Sequence, residues 1–289
     1  MNTADSVSGW LDTSEHHRDS AHMRYIYPVV SRRAGGVSVG INLNTNNACN
    51  WRCLYCQVPH LRLGSAPAVD LPVLEQELRY FLRDVMTGDF MQQRVPPEAR
   101  RLNDIALSGN GESTSAPEFS EVIEIISQVR HDLQMSDAVK TILITNGSLI
   151  HRPQVQRGLK ILAGITGEVW FKLDRASVAG MQQINDTATR IETVREHLVT
   201  AINLCPTWIQ TCWFALDEQA PSVRDEEDYL AFLRGLLATG SRPEGVLLYG
   251  MARPSLQPEA SRLSNLSAEQ LNAFAAKIAV LGLTVKVTP

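Results

Sequence analysis

The sequence predicts an α/β protein whose parallel strands close into a barrel or spread as an open doubly wound sheet. Apolar runs of strand length alternate with amphipathic helical segments about six times, and nothing interrupts the alternation. Polar clusters follow the runs, at the ends where α/β barrels build their sites.

Residues 1–36 have weak periodicity, a charged group at His16, His17 and Arg18, and a turn at Arg32-Arg33-Ala34-Gly35-Gly36. They read as a partly irregular extension over the barrel, with the paired arginines either a solvated turn or a contact for a phosphate-bearing substrate. The expected division is an extension over residues 1–37 and a barrel domain over 38–289. Gly40-Ile41-Asn42-Leu43-Asn44 alternates as a strand and runs into a polar loop.

Asp70 then caps a helix whose apolar stripe is Leu71, Leu74, Leu78, Phe81, Leu82 and Val85. A strand at 104–108 leads into Gly109-Asn110-Gly111-Glu112, and a helix opens near Pro117. The unit recurs as a strand at 141–145 ending at Asn146-Gly147, a helix at 153–162 and a strand at 168–174. Further on come a helix at 189–202, a strand at 209–216, a helix at 225–237 closed by Gly240, and a strand at 245–250. The last helix starts at the capping box Ser267-Ala268-Glu269-Gln270, flanked by Leu266 and Leu271 as a hydrophobic staple, and a short strand at 283–287 follows.

At 289 residues and 44% hydrophobic, the chain can bury a sizeable core as one domain. A net charge of -4 and a pI near 6.0 argue against broad, sequence-independent phosphate binding. The polar amino terminus has no apolar signal core and no apolar run is long enough for a bilayer, so a cytoplasmic protein without membrane partners is expected. Of five cysteines, Cys205 and Cys212 lie in apolar surroundings and read as small core residues, which leaves no ligands for a second cluster.

The other three, Cys49, Cys53 and Cys56, stand at C-x3-C-x2-C spacing on one loop. Thiolates so close can converge on a metal, and a [4Fe-4S] cube held by three of them keeps one iron open to an exogenous ligand. Two other readings satisfy the same spacing. His60, four residues beyond Cys56, would complete a Cys3His zinc site and make the chain a zinc-stabilised binding protein. Plain buried thiols are the third.

The spacing, with Tyr55 before the third cysteine, resembles the signature loop of the radical S-adenosylmethionine (radical SAM) superfamily. That resemblance implies a partial (β/α)6 TIM-like barrel. It implies a [4Fe-4S] cluster on Cys49, Cys53 and Cys56, with S-adenosyl-L-methionine (SAM) on the open iron and Tyr55 against the adenine. It also implies reductive cleavage of SAM to a 5'-deoxyadenosyl radical that abstracts hydrogen from a substrate. Gly109-Asn110-Gly111-Glu112 resembles the family's Gly-Gly-Glu motif, with Asn110 in place of the first glycine, so Asn110, Gly111 and Glu112 are expected to orient the methionine group.

Lys172 and Asp174 alternate on one strand and face one side, either as a structural pair or as contacts to cofactor or substrate. With Asn146 and with Arg253 of Arg253-Pro254-Ser255, they are the candidates for ribose, carboxylate or substrate contacts. The stretch 170–174 and the Arg-Pro-Ser element resemble small radical SAM proteins related to the tRNA wyosine synthases. An electron donor such as flavodoxin or ferredoxin is implied, and the substrate class stays open between a small molecule, a peptide and a tRNA base.

Overall fold

The computed structural model describes residues 10–11, 21–31 and 35–289. The clusters at His16, His17 and Arg18 and at Arg32-Arg33-Ala34 lie outside the described residues. The elements are β1 (Ile26–Ser31), β2 (Gly36–Ile41), β3 (Ala48–Cys49), β4 (Arg62–Leu63), α1 (Leu71–Thr87), α2 (Phe90–Arg94), β5 (Leu102–Leu107) and α3 (Phe119–Asp132). They continue with β6 (Lys140–Thr145), α4 (Pro153–Ala163), β7 (Gly167–Lys172), α5 (Val178–Asn185), α6 (Ile191–Leu204), β8 (Thr207–Cys212) and β9 (Phe214–Leu216). The chain ends through α7 (Val223–Leu237), β10 (Gly245–Tyr249), β11 (Leu263–Asn265), α8 (Ala268–Ala279) and β12 (Val285–Thr288).

Eight strands form one sheet in the order β1-β2-β5-β6-β7-β8-β10-β12. All neighbours from β2 to β12 pair in parallel, and β1 adds to β2 antiparallel. The two edge strands, β1 and β12, are not bonded to each other, so the barrel is partial. β1 and the first residues of β2 precede residue 38 and belong to this same sheet.

Strand periodicity sorts the side chains into two sets. Val37, Val39 and Ile41, with Ile105, Leu107, Leu143, Val169, Phe171, Ile209, Val246 and Leu248, face outward and are buried under the helices. The alternate positions, including Gly40, Ala106, Ile142, Ile144, Trp170 and Gln210, line an internal cavity. Helices cover the outer face through stripes such as Leu74, Leu78, Phe81, Leu82 and Val85 of α1, whose first turn is capped by the Asp70 carboxylate accepting from Val73 N. Each such side chain contributes roughly 1.5–3 kcal/mol on burial. The capping box at Ser267 and Gln270 forms as read, and both Leu266 and Leu271 are buried.

Three features differ from the sequence reading. Residues 178–185 form α5, an eight-residue helix capped by Ser177. The strand expected at 209–216 divides at Trp213 because the Trp213 N–H donates to Tyr249 O, while the chain beyond turns away to pair β9 antiparallel with β11. Residues 26–31, part of the extension that the sequence predicts to be partly irregular, form an edge strand. Among the described residues, no helix is long and apolar enough to cross a membrane.

Trp213 is fully buried, stacks on Phe274 at 4.3 Å and carries the Arg175 guanidinium over its ring at 4.3 Å. Arg175 is itself buried, donates to Asp174 O at 2.7 Å and faces Asp225 at 3.8 Å. Trp213→Ala is expected to cost about 3–5 kcal/mol of stability, because it opens a cavity and strips the cover from a buried cation. Urea unfolding measures this, and a loss under about 1 kcal/mol would contradict the packing described.

Candidate functional site

The cysteine loop leaves the carboxyl end of β2 and is held from three sides. On the first side, Gly109 and Gly111 bring the loop after β5 against it. A Cβ on Gly111 would lie 2.0 Å from Ala48 O, and one on Gly109 would lie 2.3 Å from Asn42 Oδ1. Only glycine permits that approach. Asn42 Oδ1 accepts from the Asn110 and Asn44 N–H groups, Asn44 Nδ2 donates to Ala48 O at 2.8 Å, and Asn110 Nδ2 donates to Asn47 Oδ1 at 2.7 Å.

On the second side, the end of α5 accepts from the loop backbone, Arg52 N to Asn185 O and Leu54 N to Ile184 O. On the third, Ser255 Oγ donates to Leu54 O at 2.6 Å, and Gln257 Nε2 donates to Val58 O at 3.0 Å. Arg52 grips Glu259 through two nitrogens and reaches Asp186 at 3.3 Å.

Cys49, Cys53 and Cys56 all face one cavity of about 380 Å³. It descends between the strands past Trp170 and Gln210 to Tyr27, Ser38 and Asp104. Burial pushes the Cys49 thiol up to about 11 and the Cys53 thiol up to about 12, the latter opposed by the Lys172 cation. Both are therefore protonated at neutral pH, and a cationic centre must displace those protons to bind. Asn185 Nδ2 donates to Cys53 Sγ at 3.2 Å, the kind of N–H···S contact that accompanies cysteinyl clusters.

Three thiols on one cavity wall with an amide donor to sulfur fit a cluster bound through three corners. Among the described residues, no three His, Cys, Asp or Glu side chains gather closely enough to share a single ion. His60 is exposed and is not among the residues lining the cavity, so the Cys3His arrangement is not assembled.

The structure distributes the remaining candidates unequally. Lys172 lines the cavity with its ammonium 4.8 Å over the Tyr55 ring. Burial alone would lower its pKa, but Tyr249, Asp174, Cys53 and Cys212 outweigh that and hold it above the ordinary lysine value. Tyr55 also lines the cavity, meets Phe214 edge-on at 5.5 Å, and donates from its hydroxyl to Asp174 at 2.5 Å. Burial, then the Asp174 charge, keeps that phenol protonated.

Asp174, read as a structural partner of Lys172 or as a cofactor or substrate contact, is 1% exposed, bonds to the protein's own groups and is not among the residues lining the cavity. Its Oδ2 accepts from Tyr55 and Asn185, and its Oδ1 accepts from Cys212 N. Asn110 clamps the cysteine loop and is not among the residues lining the cavity, whereas Gly111 is.

Glu112 lines the cavity and binds its own fold at the same time. Oε1 accepts from Thr114 N, Thr114 Oγ1 and Thr145 Oγ1, while Oε2 accepts one bond, from Asn146 N at 2.7 Å, and has room for another donor. Asn146 joins β6 to the cysteine loop by donating to Asn50 Oδ1 at 2.8 Å. Arg253 lies at the rim and donates to Gln57 Oε1 at 3.1 Å.

Sequence reasoning missed Asn185, Trp170, Gln210 and the Ser38–Asp104 pair. For the last two the available signal was a polar residue at an alternating position inside an apolar strand. Asp104 is 7% exposed, accepts a short hydrogen bond from Ser38 Oγ, and burial pushes its carboxyl from 3.8 up to about 6.

No protein-family model matches the chain. Over 159 residues, 55% of its length, it is 28% identical to a UPF0026 protein of Helicobacter pylori (strain ATCC 700392 / 26695), and the match spans 44% of that protein. The chain thus corresponds to less than half the length of this relative. Among solved structures it superposes on TYW1 with a lysine-pyruvate adduct bound at a TM-score of 0.57, with 15% identity over 84% of this chain and 73% of that one. It superposes on a radical SAM methyltransferase from Sphaerobacter thermophilus at a TM-score of 0.55, with 13% identity over 87% and 66%. The fold is the α/β barrel of radical SAM enzymes.

Asp104 gives a pH test of the cavity floor. Between pH 3.8 and about 6 the native state holds this proton more tightly than the unfolded chain does, so stability falls as pH rises through that window. Above it the cost is about 3 kcal/mol. Asp104→Asn is expected to stabilise the protein relative to wild type at pH 8 and to lose that gain near pH 4. Equal urea midpoints for the two proteins at pH 8 would contradict the burial of this charge.

Proposed function

We propose that this chain is a radical SAM enzyme. The observation that carries the reading is that Cys49, Cys53 and Cys56, on the loop after the first parallel strand, line the mouth of a barrel of the radical SAM fold. Cys49, Cys53 and Cys56 would hold a [4Fe-4S] cluster and leave one iron for SAM. With SAM bound, a reduced cluster there would supply the electron for reductive cleavage of SAM and so the hydrogen-abstracting 5'-deoxyadenosyl chemistry.

The chain's own residues bind, orient and shield. Glu112 Oε2 offers its remaining acceptor site to the ammonium of the methionine group, with Gly111 lining the cavity beside it. Lys172 supplies a fixed cation at the rim for a carboxylate or ribose oxygen, with Arg253 beside Gln57 as a second cationic contact. Asn185 donates to Cys53 Sγ and stabilises negative charge on that sulfur. The apolar wall of Ile142, Ile144 and Trp170 excludes water from the substrate chamber below.

Anaerobic reconstitution with iron and sulfide tests the cluster. Wild type is expected to take up one [4Fe-4S] cluster, the variant carrying Cys49→Ala, Cys53→Ala and Cys56→Ala none, and His60→Ala as much as wild type. Equal iron in wild type and the triple variant would refute the cluster, and loss of metal in His60→Ala would favour the zinc reading. With dithionite and SAM the reconstituted wild type is expected to release 5'-deoxyadenosine; an intact cluster without that product would refute SAM cleavage.

A further inference from the structure

The cavity floor carries chemistry that the cluster and SAM contacts leave unused. Asp104 on β5 projects into the lumen, and among the described residues Ser38 is its one hydrogen-bond donor, giving its proton to Oδ1. No cation pairs with the carboxylate among the described residues. Lys140, its register partner on β6 and on the same face of the sheet, is held by Glu168. A buried carboxyl without a cation is costly, and structures keep such groups where a ligand completes them.

A second atom tells the same story. Gln210 on β8 is 4% exposed, lines the same cavity, and its Oε1 is buried with no hydrogen-bond partner. An acceptor desolvated in this way is costly until a donor reaches it. Both atoms ask for N–H or O–H groups from whatever fills the lumen.

The chamber is also polarised along its length. Lys172 sets a positive charge at the rim, and Asp104 is the carboxyl at the floor. Asp104 stands four residues below Ser108 along the strand direction, roughly 13 Å at about 3.3 Å per residue. A ligand's cation at the rim would share that space with Lys172 and with the Glu112 carboxylate assigned above to the methionine ammonium, whereas at the floor it meets Asp104.

We propose that the lumen takes an elongated substrate bearing an aliphatic amine, bound amine-first, with the ammonium on the Asp104 carboxylate. The inference rests on reading the lumen as the substrate chamber of the enzyme proposed above. Asp104 is then the residue that selects for the amine, and the rest of the substrate extends up toward the rim, where Gln210 stands level with Lys172.

Calorimetric titration of the full chain with hexylamine and hexan-1-ol at pH 8 tests this without any turnover. Wild type is expected to bind the amine at least tenfold more tightly than the alcohol, and Asp104→Asn to reduce that preference below threefold while its affinity for hexan-1-ol is unchanged. Ser38→Ala, which keeps the carboxylate, should retain the preference. Equal binding of the two probes by wild type, or an undiminished preference in Asp104→Asn, would overturn the proposal; the wild-type comparison decides the matter even if the variant fails to fold. Because the readout needs neither iron nor SAM, its failure is distinct from failure of the cluster.

Discussion

The placement of the three cysteines depends on one buried carboxylate. Asp174 accepts from the Tyr55 hydroxyl, the Asn185 amide and the Cys212 backbone, and so ties the cysteine loop, the end of α5 and β8 to a single point. Lys172 supplies the opposing charge from above the Tyr55 ring. Charge-assisted bonds in a water-poor site are strong, and removing either partner leaves an uncompensated buried group. The loop's own backbone makes few regular contacts, so its cysteine spacing is imposed from outside.

Glu112 does comparable work on the opposite flank, joining the glycine loop to the start of the turn after β6 through Thr145 and Asn146. Two carboxylates that resemble ligand contacts in the sequence therefore act first as struts. Polar atoms with unused bonding capacity also face the cavity, at Gln210 Oε1 level with Lys172 and at Asp104 deeper on β5. Struts stand where loops must be positioned, and open acceptors face the cavity.

Most of the architecture was legible because its signals are local. The stripes of α1 and α3, the capping box at Ser267 and the apolar strands need no knowledge of distant residues. The cysteine loop was legible for the same reason, since its three thiols fall within eight residues. What escaped was set by tertiary contact. The break at Trp213 depends on Tyr249, α5 is a short helix with a weak amphipathic pattern, and β1 becomes a strand only because β2 offers an edge. Asp104 and Gln210 look like isolated polar residues in apolar strands until the curled sheet turns their alternating face inward. Asp174 shows the converse: its position beside Lys172 was readable, but its bonds from Tyr55, Asn185 and Cys212 N were not.

The central claim is that three thiols at the barrel mouth carry a cluster with an open iron facing the cavity. Electron paramagnetic resonance of the anaerobically reconstituted, dithionite-reduced protein tests it most directly. A reduced-cluster signal that changes on adding SAM, and is lost in Cys56→Ala, is the predicted result. A protein that shows no cluster signal, or one whose signal is identical with and without SAM, would contradict the account.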